Sequence, residues 1–468
     1  MRLAARYDAA QTTLDNARHW SAADGLSAGQ SNNSGVRWIL RNRSRLEYAN
    51  NSYLRGITKT LATDTIGRRG PRLQLRTSDK KGNTRVENTW RLWAKEIKLA
   101  KKLRLARKTK IVDGESFLVM FTDRTLRSPI KLNFNVVPAE HFRSLKAGDY
   151  SDGIEYDRHG HPIRYHRTIK HPSEGATNPE PIPARWVIHY KNDDRAGELR
   201  SVPETTAGLP LFACLRRFTL ATIEAAETAA NFAAVLTSDA PADEESGMAP
   251  LTEVEIVRNM MLALPSKMSL EQLKAEHPTT TYEMFKAAVL EEIARGFCMP
   301  YHLAAGNSAG TSYAGGRLDE QIYARAIGEE RGLIEDDILA HLWLAFADEA
   351  ALVPGLLPNA GPFGDWDVGW YWPGFKHVDP YKEAKAQHQR LEDLTTTLED
   401  EWAEQGEDWE RKLEQIAAER KKMQSLGLVV ADAMPRSEDL RNGPSFEDLE
   451  ERIEELEEQL EDRHAVLA

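Results

Sequence analysis

The hydrophobic pattern of residues 282–346 predicts two helices joined by a loop. The first helix has an apolar face with spacings of three and four residues, formed by Tyr282, Phe285, Val289, Ile293 and Phe297. Pro300 ends this helix, because the residue before a proline disfavours the helical region. The stretch 300–316 is rich in glycine and small polar residues. A helical pattern resumes at Arg317 and continues to about Phe346. We therefore expect a mobile loop between two helices, the second of them long.

Residues 36–67 also have a helical pattern, which is broken at Asn50-Asn51-Ser52. Five arginines lie between residues 37 and 55. We interpret them as a solvated helix face, with some packing from Trp38, Leu46, Tyr53 and Leu54. A direct contact of these arginines with DNA or with a partner protein is the open alternative. Residues 88–110 predict one basic amphipathic helix that carries Trp90 and Trp93.

Alternating apolar residues predict strands in the stretch that follows. Residues 108–123 predict a strand, with Asp113-Gly114-Glu115 at its entry. Asp113 and Glu115 could be catalytic carboxylates. The favoured interpretation is that Gly114 kinks the chain where the strand begins, because no second acidic or histidine motif of a catalytic site lies nearby in the sequence. Residues 129–190 predict a β-rich region with a hairpin turn at 156–162. Farther along the chain, alternation predicts a strand with one buried face around Trp366, Trp370 and Trp372.

The second half of the chain predicts long helices around a small insert. Residues 209–238 predict an alanine-rich helix, suited to packing beside copies of itself or inside an ordinary core. Residues 239–280 predict a separate insert, which begins with an acidic linker and has prolines at positions 241, 250, 265 and 278. Residues 381–426 have a helical pattern with a break at Gly406. Residues 431–468 are acidic and mostly polar, and we expect them to be mobile.

Composition indicates a globular chain with substantial cores, since 41% of its 468 residues are hydrophobic. No run of 18 apolar residues occurs, so we predict no transmembrane helix. The N-terminal residues lack the apolar core of a signal peptide. The two cysteines, Cys214 and Cys298, lie in apolar helical patterns. We expect buried free thiols in a reducing compartment rather than a disulfide.

The net charge of −11 is unevenly distributed. Residues 1–110 hold 25 Lys/Arg against 8 Asp/Glu, a net charge of +17, whereas residues 431–468 hold 4 against 13, a net charge of −9. The middle of the chain, 111–430, therefore carries −19. A basic head could bind nucleic acid or an acidic neighbour. An acidic middle does not fit a tight DNA clamp, because a clamp would neutralise phosphates.

Sequence motifs of common catalytic sites are mostly missing. No phosphate-binding G-x-x-x-x-G-K-[ST] loop occurs, and no G-x-G-x-x-G follows a predicted strand. The histidine pairs His159/His161 and His166/His171 lack the further ligands of a metal site. Residues 306–310 fit G-x-S-x-G with Ser308 at its centre. A nucleophile elbow needs a strand before the serine and a helix directly after it. A serine hydrolase built on Ser308 is therefore kept only as an alternative.

Several longer stretches together resemble the lambda-type family of phage portal proteins. They are ARYDAA at 5–10, RNRSRLEYANNSYLRGITKTLATDTIG at 41–67, VDGESFLVM at 112–120, GIEYDRHGHPIRY at 153–165, IPARWVIHYKNDDRAGELRSVP at 182–203, FKAAVLEEIARGFCMPYHLAAGNSAGTSYAGGR at 285–317, WPGFKHVDPYKEAKA at 372–386 and TTTLEDEWAEQGEDWERKLEQIAAER at 395–420. Their number and order make the resemblance more specific than any single motif.

The resemblance implies an α+β portal fold with an α/β wing, long stem helices, a small clip insert and an α-helical crown. The corresponding segments would be an N-terminal arm at 1–35, the wing at 36–208, stem helices at 209–238 and 281–299, the clip at 239–280, a tunnel loop at 300–316, a long helix and wing return at 317–377, the crown at 378–430 and an acidic tail at 431–468.

The resemblance also implies a ring of about twelve subunits at one capsid vertex. Double-stranded DNA would be packaged and ejected through its channel. The terminase large subunit would dock first and head-tail adaptor proteins later, and the major capsid protein would surround the ring. The location would be the virion, and the host cytoplasm during assembly. No membrane contact, cofactor, metal or catalytic residue is expected.

Two sets of residues follow from this mapping. The tunnel loop would face DNA through Asn307, Ser308, Thr311, Ser312, Tyr313 and Arg317. The clip would contact partner proteins through Glu253, Glu255, Arg258, Met260 and Met261. A non-ring adaptor that binds nucleic acid through the basic head is the second alternative.

Overall fold

The computed structural model describes residues 25–143, 152–170, 178–231, 235–238, 268–271, 280–374 and 380–428, together with Arg18, Ser21, Ala23 and Glu174. The chain divides into two compact units, 1–389 with 404–406, and 390–403 with 407–468. Helices and small antiparallel sheets alternate in the first unit, and the predicted α+β class is confirmed.

The described helices, in chain order, are α1 Ala28–Ser31, α2 Ser34–Asn50, α3 Ser52–Ile66, α4 Lys80–Glu96, α5 Leu99–Asp113, α6 Leu209–Asn231, α7 Thr280–Gly296, α8 Tyr301–Ala305, α9 Tyr313–Ile334, α10 Ala340–Ala351, α11 Pro380–Glu392, α12 Leu398–Glu404 and α13 Trp409–Ser425. A π-helical segment, Glu335–Leu339, joins α9 to α10. None of the described helices is long and apolar enough to span a membrane.

The described strands are β1 Arg72–Arg76, β2 Glu115–Thr122, β3 Leu132–Val137, β4 Ile154–Tyr156, β5 Pro162–Arg167, β6 Glu180–Pro183, β7 Val187–Lys191, β8 Val235–Ser238, β9 Met268–Glu271 and β10 Asp367–Tyr371. They form the sheets β1-β10, β3-β2-β7, β4-β5-β6 and β8-β9. All pairs are antiparallel, and the predicted hairpin at 156–162 is the β4–β5 connection.

Aromatic side chains form the centre of the largest core. The Trp90 ring lies 4.9 Å from Phe346 of α10 and 5.3 Å from Trp370 of β10. Trp93 is fully buried beside Trp90. Trp366 and Trp372 flank β10 and pack against the same core. A strand in this segment is confirmed, but only Trp370 of the three tryptophans lies in it, half-buried, and the buried Tyr371 is on its opposite face.

The orientation predicted for α2 is wrong. Arg37 and Arg41 are buried, whereas Trp38 is 64% exposed and Leu46 is 55% exposed. The arginines point inward because carboxylates from distant strands and loops meet them there. Arg41 Nη2 lies 3.2 Å from Glu115 Oε1 at the start of β2.

Glu115 is the centre of this buried charge cluster. Arg200 donates to its two carboxylate oxygens at 2.6 and 2.7 Å, and His189 Nε2 lies 3.0 Å from Oε2. Burial would raise the pKa of Glu115, but the charge of Arg200 and the hydrogen bond with His189 outweigh it and hold that pKa well below its usual value. Glu115 is therefore an ionised structural group, and the strand entry kinked at Gly114 is confirmed.

Three further predictions need correction. Residues 88–110 are not one helix, because Lys98 adopts a left-handed conformation with φ 59° between α4 and α5. The predicted helix 209–238 ends at Asn231, and β8 follows, where Val235 and Thr237 favour a strand. Cys214 and Cys298 are free, as expected, but both are exposed rather than buried.

The second unit contains α12 and α13 among its described residues. Arg390 Nε lies 2.8 Å from Glu401 Oε1, which ties the end of α11 to α12. The predicted helical stretch 381–426 has a break at 393–397 that was not expected. The predicted break at Gly406 is confirmed, since this residue has φ 72°. The acidic residues 431–468 lie outside the described residues.

Candidate functional site

Helix α7 places the candidate loop by packing against a second core. Leu290, Ile293 and Phe297 are buried in this core together with Phe212 of α6 and Leu54 of α3. The predicted apolar face is confirmed at Ile293 and Phe297. Phe285 lies outside the core and is 43% exposed.

The predicted loop 300–316 is shorter in the structure. Cys298 adopts a positive φ of 50°, and Met299 N donates to Ala294 O at 3.0 Å, which closes α7. Pro300 then caps α8, whose end is marked by Gly306 with φ 65°. Proline is favoured at the start of a helix, so it separates α7 from α8 rather than opening a loop. The loop proper covers residues 306–312.

This loop is exposed along its whole length. Gly306 and Gly310 have φ of 65° and 82°, and a Cβ at either position would meet no atom within 4 Å. Asn307 Oδ1 accepts a hydrogen bond from Ala309 N at 2.9 Å, and Ser308 O accepts one from Thr311 N at 3.2 Å. These local bonds shape a compact turn that presents Asn307, Ser308 and Thr311 to solvent.

Ser312, Tyr313 and Arg317 belong to the start of α9 and not to the loop interior. Ser312 Oγ accepts from Gly315 N at 3.1 Å, the usual arrangement of an N-cap serine. Tyr313 and Arg317 are exposed on the first turns of α9. The Tyr313 ring lies 5.6 Å from Nζ of Lys382 in α11, within range of a cation–π contact.

Helix α9 is anchored to α3 by polar contacts. The Tyr323 hydroxyl donates to Asp64 Oδ2 at 2.9 Å. Arg331 donates to the carbonyl oxygens of Thr65 and Pro373 at 2.9 Å each. Burial raises the pKa of Asp64 and of Tyr323, and the nearby Asp64 charge raises the pKa of Tyr323 further. These contacts fix the middle and the C-terminal end of α9, and the exposed loop precedes the other end of the helix.

A buried charge network holds α9 to α5 as well. Lys110 Nζ donates to Glu330 at 2.8 and 3.1 Å, and the Tyr190 hydroxyl donates to the same carboxylate. Arg107 contacts both Glu330 and Glu204. Sequence reasoning missed these residues, because single charged residues so far apart in the chain produce no local pattern.

Ser308 does not occupy a nucleophile elbow. Helix α8 precedes it, and four further residues separate it from α9. The structure therefore places the G-x-S-x-G match in an exposed loop between two helices, unlike the strand–turn–helix that the hydrolase alternative requires. Among the described residues, no group of three His, Cys, Asp or Glu side chains could hold a metal ion.

The predicted partner contacts Glu253, Glu255, Arg258, Met260 and Met261 lie outside the described residues. The structure does describe the two ends of this region. Strand β8 pairs antiparallel with β9, with Val235 opposite Glu271 and Ser238 opposite Met268. The chain therefore leaves and returns through a two-stranded ladder.

Comparison with solved structures returned chains from gene transfer agent (GTA) particles. One, described as the virion of the native particle, has 12% identity and a TM-score of 0.46 and covers 81% of this chain and 94% of its own. Another, described as the neck of the native particle computed with C12 symmetry, has 14% identity and a TM-score of 0.44 and covers 74% of this chain and 87% of its own. TM-scores below 0.5 support no assignment. No curated protein matched the chain.

The sequence model of one protein family matches residues 16–330, which is more than half of the chain. The match extends from before α1 into α9 and includes the loop 306–312 and the helices on either side of it. The chain belongs to the lambda family of phage portal proteins.

Proposed function

We propose that this chain assembles with copies of itself into a ring of about twelve subunits at one capsid vertex. Double-stranded DNA enters and leaves the capsid through the channel of the ring. The observation that carries this proposal is the family match over residues 16–330. The chain then acts as a structural component of the virion and is present in the host cytoplasm during assembly.

The loop 306–312 supports a role for this segment at the channel. It is exposed, its two glycines have open space around them, and α9 behind it is anchored to α3 and α5. An adaptable loop on a rigid helix can follow a moving duplex. Asn307, Ser308, Thr311 and Ser312, with Tyr313 and Arg317 on the adjoining helix, are the proposed DNA contacts.

The charge distribution supports sliding rather than tight binding. Residues 111–430 carry a net charge of −19. Tight phosphate binding would oppose translocation, whereas a mostly acidic wall repels the duplex and leaves contact to a few side chains.

The segment boundaries implied by the resemblance belong to the same proposal. Residues 36–208 form the wing, 209–238 and 281–299 the stem, 239–280 the clip and 378–430 the crown. The clip, through Glu253, Glu255, Arg258, Met260 and Met261, is the docking surface for the terminase large subunit and later for head-tail adaptors. The major capsid protein contacts the outside of the ring.

Negative-stain electron microscopy of the purified full chain tests the proposal. Rings with a central hole are the expected result. Compact monomers at every protein concentration would overturn it and would favour a non-ring adaptor. A fluorophosphonate probe, which labels activated serines, tests the hydrolase alternative. That alternative requires labelling of the wild type that is lost in Ser308→Ala.

A further inference from the structure

An exposed face of α5 is basic with an apolar centre. Lys101, Leu105 and Lys108 follow one another at spacings of four and three residues, which places them on one side of the helix, and the exposed Lys98 directly precedes its first residue. Leu105 is 51% exposed. Within the described residues, no carboxylate pairs with these three lysines. We call this surface the basic face.

Neighbouring segments enlarge the basic face. Burial lowers the pKa of Lys108, and the like charges of Lys59 on α3 and Arg104 on α5 lower it further. Arg104 Nη1 donates to Gly67 O at 2.5 Å and so holds the turn that carries the exposed Arg68. Repulsion among these cations is relieved when an acidic surface covers them.

An exposed face of α9 has the complementary character. Its apolar members Leu318, Ile322 and Leu333 are 63%, 53% and 40% exposed. Glu329 is exposed in the same stripe, which also includes one cation, Arg325, and the exposed Asp336 follows in the π-helical segment directly after α9. The core side of α9 instead carries Tyr323, Ile327 and Glu330. We call the exposed stripe the acidic face.

The two faces belong to one rigid arrangement but point in different directions. The Lys110–Glu330 pair fixes the side of α5 that meets α9. Leu105 precedes Lys110 by five residues, about 140° around the helix, so the basic face is turned away from α9. Two different, complementary surfaces on one subunit are what a head-to-tail contact between identical subunits requires.

We propose that the basic face of one subunit docks against the acidic face of α9 in the next copy of this chain. The inference rests on the ring of the proposed function and names the surfaces that close it. Charge complementarity favours a second copy over DNA as the occupant. A duplex would satisfy the lysines but would leave Leu105 and the exposed leucines of α9 without an apolar partner.

Charge reversal with rescue tests this docking. The basic-face variant is Lys98→Glu/Lys101→Glu, and the acidic-face variant is Glu329→Lys/Asp336→Lys. Each variant alone should lower the ring fraction at least about tenfold at equal protein concentration, because like charges then face each other. An equimolar mixture should restore rings in which the two variants alternate, and the four substitutions in one chain should also restore rings.

The control variant Lys81→Glu/Arg91→Glu places the same charge change on the exposed side of α4 and should assemble like the wild type. Circular dichroism melting of every variant separates misfolding from lost assembly.

If the wild type forms rings and both charge-reversal variants form them equally well, the docking alone is overturned. It is also overturned if the variants are folded but an equimolar mixture of them forms no rings. Normal rings from the basic-face variant with weakened duplex binding would assign that face to DNA instead. A wild-type chain that stays monomeric would overturn ring and docking together.

Discussion

Lys110 and Glu330 lie 220 residues apart in the chain and form an ion pair, with Nζ 2.8 Å from Oε1. The lysine side chain has no exposed surface. The pair joins α5, which packs against the β3-β2-β7 sheet, to α9, the helix that follows the exposed loop. With the Tyr323–Asp64 hydrogen bond, it holds the middle and the C-terminal part of α9 in place.

Removing one member of this pair is expected to be costly. Glu330→Leu leaves Lys110 buried without its carboxylate and should lower the free energy of unfolding by about 3–5 kcal/mol. The double variant Lys110→Met/Glu330→Leu should lose less, because no uncompensated charge remains at that lysine. Urea denaturation of the purified proteins measures both.

The exposed pair Arg164–Glu155 provides the control for this prediction. Its atoms lie 3.3 Å apart, and the Arg164 side chain is 57% exposed. Arg164→Met should therefore cost no more than about 1 kcal/mol. Equal losses for Glu330→Leu and Arg164→Met would contradict a structural role for the buried pair.

Gly114 is expected to tolerate no side chain. It has φ 92°, and a Cβ would lie 2.4 Å from the carbonyl carbon of Val202. Gly160 has φ 87° with nothing within 4 Å of its Cβ, so Gly160→Ala measures the backbone cost alone, about 1–2 kcal/mol. Gly114→Ala should cost clearly more in thermal or urea unfolding. If both variants lose a similar amount of unfolding free energy, the structure accommodates the close contact with Val202 without additional cost.

Acid should remove stability that Glu140 contributes. Burial would raise the pKa of Glu140, but the hydrogen bonds and charge of Arg45 outweigh it and lower that pKa from 4.5 to about 2. Because the folded-state pKa lies below the unfolded value, this stability is present above about pH 4.5 and disappears as the pH falls toward 2. The drop in Tm between about pH 6 and about pH 3 should therefore be smaller for Glu140→Gln than for the wild type.

The exposed Glu180 supplies the matched substitution for this measurement. Glu180→Gln should keep the pH dependence of the wild type. An unchanged Tm difference in Glu140→Gln would mean that the Arg45–Glu140 contact does not survive in solution.

Deleting residues 307–311 tests the loop without touching its supports. The deletion keeps Gly306 at the end of α8 and Ser312 at the start of α9, so ring assembly should persist. DNA packaging or retention, measured as nuclease-protected DNA in assembled particles, should fall. Replacing the same five residues by glycine and serine separates loop length from side-chain contacts. Full packaging by the deletion variant would refute the assignment of this loop to the channel.

The local pattern predicted many helices and strands correctly, but it misplaced the loop boundaries. Pro300 was interpreted as the start of a loop and instead caps α8. Ser312 caps α9, so the helix begins at Tyr313 and not at Arg317. At α9 the difference arises from side-chain capping, because Ser312 Oγ accepts from Gly315 N and so lets the helix begin within a glycine-rich stretch. At α8 it arises from Pro300, whose fixed φ suits the start of a helix.

Local patterns along the chain were enough to predict the α+β class, the position of the loop between two helices and a strand in the tryptophan-rich segment, and longer motifs gave the resemblance to portal proteins. The side of α2 that is buried depends on tertiary contacts, because Arg37 and Arg41 can face inward once carboxylates from distant segments neutralise them. The same reason applies to Lys110 and Glu330: neither residue has a local partner, and their pairing exists only where the fold brings α5 and α9 together.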